Sequence, residues 1–432
     1  LPIGRLRIGG PNAKPLIGKW EWFSITLCTT IATGILFWGI AEPIFHLHEA
    51  PKEVRSAPFS MSTMYLHWTL IPYSIYTLAA VVFAIAFYNL KQPFRVSSML
   101  YPLLGKRAYG PIGILVDSLC LFALVAGMAA SLGAGILSIS GGLEALIGYP
   151  QNSMGYALVG SSIALVFIIS AVSGLQKGIK TLSSWNIRFF FLFALFILIS
   201  GPTLKLLDIG GKGIVDFVQH FPIRALGLDK NLPDSWLNSW TVFYWANWLA
   251  WTPVTALFLG RLGRGYTVRQ FLCFNLLFPS LFGAAWMMIF SGSAIHFDLL
   301  AGAPLYAALQ TGGPQAVVFE LLANLPFLEI SSVVFVLIVF VSYVTAADSN
   351  TSALTGLSQK GITPESQEAA PALKIIWGIM VALIAWIMIS FAGIEGIKMA
   401  SNLGGFPALI ICLFVAAAWI KLLIKSFLHG RI

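Results

Sequence analysis

Long apolar runs separated by short polar links make up most of the chain. A helix needs about 20 mostly apolar residues to cross the hydrocarbon core of a bilayer. Ten runs meet that length: residues 20–41, 60–90, 110–140, 152–175 and 183–204, then 236–262, 267–294, 328–348, 371–393 and 402–425. A more polar link at 205–235 divides them five and five, and its Asp216-Phe217-Val218 stretch predicts a short interfacial helix. Five is odd, so a second set repeating the fold of the first would start from the opposite face. That is the arrangement of inverted-repeat secondary transporters. The pattern therefore predicts an all-α integral membrane protein with ten transmembrane helices.

Composition agrees. Of 432 residues, 58% are hydrophobic and 10% charged, against about 25% charged in soluble domains. Basic residues fix an orientation. With the N-terminus inside, eighteen of the 26 Lys and Arg fall on inner segments. The expected organisation is a cytoplasmic segment at 1–19, a first repeat at 20–204, an outer linker at 205–235, a second repeat at 236–425 and a cytoplasmic end at 426–432. The net charge of +9 is assigned to the inner loops, since no basic block with interleaved aromatics points to nucleic acid. Cys28, Cys120, Cys273 and Cys412 sit in apolar runs and read as small hydrophobes. No phosphate-binding motif or nucleophile–base arrangement supports an enzyme. The chain begins at Leu1 rather than Met and is polar through Lys19, as expected of the interior of a longer protein.

The first helix of each half is expected to unwind near the midplane. In the first half the candidate is Cys28-Thr29-Thr30-Ile31-Ala32-Thr33-Gly34, whose threonines either bond freed carbonyls, face a cavity or serve close helix packing. In the second half it is Trp245 through Pro253, where Pro253 removes a donor and crowds the carbonyl of Leu249. Trp245, Trp248 and Trp251 recur every third residue and share one broad helical face. They lie too deep for an interfacial belt, a role that suits Trp236 and Trp240. In the second span Trp68 and Tyr76 fall within about 80° on the helix surface, and Pro72 is placed to kink it. Such rings suit a cage for a quaternary ammonium, which cannot donate a hydrogen bond or lose a proton. Each cation–π contact contributes roughly 0.5–2 kcal/mol. No acid is expected beside these rings. Glu42-Pro43, His46, His48 and Glu49 read as a solvated outer loop, with a metal or proton site as the alternative.

These segments resemble the betaine/choline/carnitine transporter family. The resemblance rests on Gly34 through Pro43, His67 through Tyr76, Val116-Asp117-Ser118 with Ser131-Leu132-Gly133, and Phe243 through Pro253. It continues in Arg264 through Phe271, Thr345 through Ser349 and Gly404-Gly405-Phe406-Pro407, in family order over nearly the whole chain. It implies a LeuT-like inverted-repeat core, alternating access, a multi-pass position in a bacterial plasma membrane and often a homotrimer. The family's twelve spans include two before this core. The expected function is secondary transport of glycine betaine, choline, carnitine or a similar compound. A carrier for a sulfonium compound, ectoine or an amino acid is the alternative, as is a sensor or channel on the same scaffold.

Carried over by residue, the resemblance assigns substrate contacts to Trp68, Tyr73, Tyr76, Trp245, Asn247, Trp248 and Trp251. Tyr73 and Asn247 stand where many relatives have tryptophan. Sodium is the candidate coupling ion, with no other cofactor expected. Its expected surroundings are the carbonyls near Cys28 and Ile31, Thr345, and Ala346 where a serine is common. Leu124 and Met128 occupy positions where sodium-coupled relatives offer threonines. Arg188 lies about one turn into a span; it either snorkels to the inner interface or supplies a fixed charge near the ion position. Weak sodium dependence, or exchange, is the resulting expectation.

Overall fold

The computed structural model describes residues 2–31, 34–173, 176–300, 302–359 and 370–429. Apart from one isolated bridge between Arg7 and Thr267, the regular structure among these residues is helical. Helices α1 (Lys19–Ile31) and α2 (Gly34–Glu49) diverge by 54° where the sequence predicts a break. Of that predicted segment, Ala32 and Thr33 lie outside the described residues.

Helix α3 (Ala57–Trp68) opens on Ser56, whose Oγ accepts the Phe59 N–H at 3.2 Å, with Pro58 in the first turn. This N-cap satisfies a backbone donor that the helix itself cannot. Thr69 departs from helical geometry, and α4 (Leu70–Ala84) follows. Pro72 explains the offset. Its ring would collide with the carbonyl four residues back, which belongs to Trp68.

Next come α5 (Pro111–Ile147), α6 (Ser153–Val172) and α7 (Gln176–Ser200). The predicted interfacial helix is longer than expected: α8 runs from Thr203 to Ala225 and packs on α3. Helix α9 (Phe243–Leu262) continues unbroken through Pro253, contrary to the expected unwinding. Only a π-helical turn at Asn238–Val242 precedes it. Pro253 has no N–H for the Leu249 carbonyl, and that one lost bond is tolerated because neighbouring helices enclose this stretch. Helices α10 (Phe278–Asp298), α11 (Leu328–Ser358) and α12 (Pro371–His429) complete the bundle. The last is two helices joined at Gly393, which has φ 52° and ψ −136°.

Among the described residues, seven helical stretches are long and apolar enough to cross a membrane, and eight if α1 with α2 forms one bent span. Helix α9 sits in the interior against α4, α5 and α12. Leu165 on α6, Leu192 on α7 and Phe391 on α12 point outward and are exposed. An apolar exterior around a polar-lined interior is what a lipid surround requires.

Candidate functional site

A partly open hollow lies where α1, α2, α3, α4, α5, α9 and α12 converge. Thr29, Thr30, Gly34, Trp38, Trp68, Tyr76, Ala130, Ser131, Ala134, Phe243, Asn247, Trp248, Trp251 and Ile397 line it. Trp68, Tyr76, Trp248 and Trp251 are all buried. Trp248 is the hub. Its ring meets Trp68 edge to face at 5.3 Å and Tyr76 at 5.6 Å. Its Nε1–H donates to the His67 carbonyl at 3.0 Å. That bond fixes the indole's orientation and ties α9 to α3. Gly34 allows the assembly to close, since a Cβ there would lie 3.1 Å from the Trp68 ring.

Five of the seven predicted substrate contacts thus share one hollow: Trp68, Tyr76, Asn247, Trp248 and Trp251. Tyr73 is fully buried and 6.5 Å from Trp248, but it does not line the space. Trp245 is half-buried and packs edge-on against the His67 ring at 5.8 Å. Asn247 pairs its Oδ1 with the Ser401 hydroxyl at 3.0 Å. Trp38 and Phe243 were not singled out as site residues from the sequence. Both fall inside quoted motifs, but neither repeats at the interval that marked the other rings.

The hollow measures about 40 Å³. A single water needs at least about 10–15 Å³ of such space, so the cage as it stands accommodates only a few waters. A four-carbon onium head requires the rings to separate.

The sequence reading placed Glu42 and His46 in a solvated loop and no acid near the rings. Both expectations fail. Glu42 and His46 are fully buried, because α2 continues to Glu49 and carries them inward. Glu42 Oε2 accepts the Trp68 Nε1–H at 2.8 Å and the Tyr244 hydroxyl. Its Oε1 accepts His46 Nε2 at 3.0 Å and His67 Nδ1 at 2.6 Å. Trp236 and Trp240 form no belt either; both are buried, with ring centroids 5.3 Å and 4.7 Å from His46. His48 does remain partly exposed, beside Asp298.

The candidate ion surroundings lie at the junction of α1, α7 and α11. Cys28 is buried against Ser183 and Asn186, and Asn186 Nδ2 donates to Ser342 at 3.0 Å. Asn186 Oδ1 is buried with no partner among the described residues. Thr345 and Ala346 are buried on α11, and Ile31 is the last residue of α1. Arg188 is not brought to this junction. It is exposed, with its guanidinium 4.8 Å from the Trp185 ring. Asn186, two residues earlier, is the residue that turns inward.

Long apolar helices bundled around an aromatic-lined hollow define a helical membrane protein. The profile of the "BCCT, betaine/carnitine/choline family transporter" matches residues 1–427, and the chain belongs to that family. It is 32% identical over 435 residues to the glycine betaine transporter OpuD of Bacillus subtilis, covering 98% of this chain and 83% of that protein. It is 29% identical to the ectoine/hydroxyectoine transporter of Virgibacillus pantothenticus, covering 98% and 84%. With the high-affinity choline transport protein of Escherichia coli the identity is 29%, covering 97% of this chain and 62% of that one. A solved structure of a Na⁺-coupled sialic acid symporter, substrate-bound and outward-open, superposes with a TM-score of 0.55. At 14% identity over 96% of this chain and 91% of that one, the likeness is one of fold.

Proposed function

We propose that the chain is a secondary active transporter of betaine-type quaternary ammonium compounds, working by alternating access. The observation that carries this reading is the meeting of Trp68, Tyr76, Trp248 and Trp251 around one buried hollow. Electron-rich ring faces stabilise a cation that can neither donate a hydrogen bond nor lose its charge. The names of the relatives support the same substrate class. Ten crossings follow if α1 with α2, α9 with its preceding π-helical turn, and the two parts of α12 each count as spans. They fall five before and five after α8, in keeping with an inverted repeat. In this reading the substrate contacts are the five hollow-lining residues, with Tyr73 and Trp245 packing behind them.

The proposal extends to coupling, assembly and place. The place for sodium is the α1–α7–α11 junction, and dependence on it is weak because Leu124 and Met128 offer no side-chain oxygen. The protein is a homotrimer in a bacterial plasma membrane, as the family resemblance implies. A competition panel of glycine betaine, choline, carnitine, dimethylsulfoniopropionate and ectoine, measured on purified protein, tests the substrate class. Saturable binding of at least one quaternary ammonium compound is expected. Binding of ectoine alone would move the chain to another substrate, as the relative from Virgibacillus allows. Binding without uptake into proteoliposomes would make it a sensor.

A further inference from the structure

Glu42 lies one indole away from the hollow. Trp68 lines that space with its ring and donates its N–H to the Glu42 carboxylate at 2.8 Å. The carboxylate's lone pairs are fully occupied, by Trp68, Tyr244, His46 and His67. A buried charge is tolerated only when it is hydrogen-bonded in this way. Glu42, His46 and His67 place one possible ligand atom each within 4.8 Å of one another, but an ion there would have to displace the two hydrogen bonds from the histidines to Oε1.

The charge on the cluster follows from its geometry. His46 gives Nε2–H to Glu42, and its Nδ1 is buried with no partner among the described residues. A second N–H there would be an unpaired buried donor, so the ring is neutral. His67 gives Nδ1–H to Glu42, and the Thr241 hydroxyl lies 3.2 Å from its Nε2. The nearest cation on α12, Lys398, sits over the Trp240 ring at 5.0 Å and is paired with Glu395 at 3.3 Å. The Glu42 carboxylate, acceptor of all four bonds, thus stands one indole away from the cage.

We propose that Glu42 is a positioning and specificity-determining residue: a buried anion behind Trp68 that makes the cage prefer a permanent cation over a neutral ligand of the same shape. It acts in two ways. A hydrogen bond from an indole N–H to a carboxylate polarises the ring and makes its face more electron-rich. The charge itself also attracts the onium through a medium of low dielectric constant. The inference rests on the proposed substrate class and adds the source of its charge selectivity.

The test compares choline with its neutral isostere, in which carbon replaces the quaternary nitrogen. Dissociation constants are measured by calorimetry on the purified protein in lipid nanodiscs. In Glu42→Gln, which keeps the size and hydrogen-bonding reach of the side chain, choline is expected to weaken about fivefold or more, and the isostere by less than about twofold. Equal weakening of both would reduce Glu42 to a structural prop and overturn the proposal. No change in either would overturn it too. If Glu42→Gln does not insert, the Glu42→Asp and Glu42→Asn pair makes the same comparison at a shorter length, and only Asp should retain the preference for choline. Failure of the wild-type protein to bind any quaternary ammonium would instead remove the substrate class, a result distinct from loss of selectivity.

Discussion

The indole rings of Trp68 and Trp248 meet edge to face, with centroids 5.3 Å apart and planes at 87°. One ring ends α3 and the other lies in the middle of α9, so the contact joins the two halves of the chain at the hollow.

Trp248 touches Trp68, Tyr73 and Tyr76 and is anchored through its N–H to the His67 carbonyl. Trp248→Ala is expected to weaken substrate binding at least about tenfold, equivalent to roughly 1.4 kcal/mol. The variant should still insert, as checked by size-exclusion chromatography of the purified protein. Unchanged affinity would take Trp248 out of the site.

Helices α9 and α12 pass at backbone contact. A Cβ on Gly405 would lie 2.4 Å from the Ala246 carbonyl oxygen and 2.5 Å from its Cα. Neither atom can turn aside, so Gly405→Ala must push the helices apart. The expected outcome is a fall of about 3–6 °C in melting temperature and a several-fold loss of uptake. Gly211→Ala is the control, since nothing lies within 4 Å of its new methyl group.

Helix α8 is latched to α3 by Arg224, which donates to the Ser62 hydroxyl of α3 at 2.9 Å while pairing with Asp216 on its own helix and, at 3.2 Å, with Asp229 just beyond it. Burial raises the Asp216 carboxyl, but hydrogen bonds from Arg224 and Ser62 outweigh it and hold the group below its ordinary value of 3.8. A lowered folded value means the stabilisation is present above the ordinary value and is lost as pH falls through the folded one. Arg224→Met should therefore lower the melting temperature at neutral pH by about 2–5 °C. Melting curves of the two proteins should converge as the pH falls below 3.8 and through the lowered folded-state value. A gap of the same size in strong acid would show that Arg224 acts through packing on Phe59.

Weak sodium coupling predicts that proteoliposomes retain more than about a tenth of their uptake when sodium is replaced by potassium, less than 1.4 kcal/mol of coupling. Loss of both net uptake and substrate exchange would establish strict sodium dependence and direct attention to Asn186, whose Oδ1 is unpartnered beside Cys28.

Much of this molecule can be read from local pattern. The apolar runs mark the helices, and the every-third tryptophans of α9 mark a face whose later members, Trp248 and Trp251, line the hollow. What the pattern does not carry is long-range partnership. Glu42 and His46 looked solvated because they end an apolar run beside other polar residues. Besides His46, the donors to Glu42 come from Trp68, His67 and Tyr244, which are 26, 25 and 202 positions away from it. Trp236 and Trp240 matched an interfacial belt by position, yet His46 draws them inward. Pro253 predicted a break that surrounding helices suppress, whereas Pro72 moved its break to Thr69. The Ser401 contact with Asn247 spans 154 positions and has no signature in either segment.

The most direct measurement is an experimental structure of the protein in a lipid nanodisc with glycine betaine bound. The trimethylammonium group is expected within about 6 Å of the ring centroids of at least three of Trp68, Tyr76, Trp248 and Trp251, in a hollow enlarged from its present 40 Å³. Ligand density elsewhere in the bundle, or those rings turned outward to lipid with the ligand absent at saturating concentration, would contradict the account.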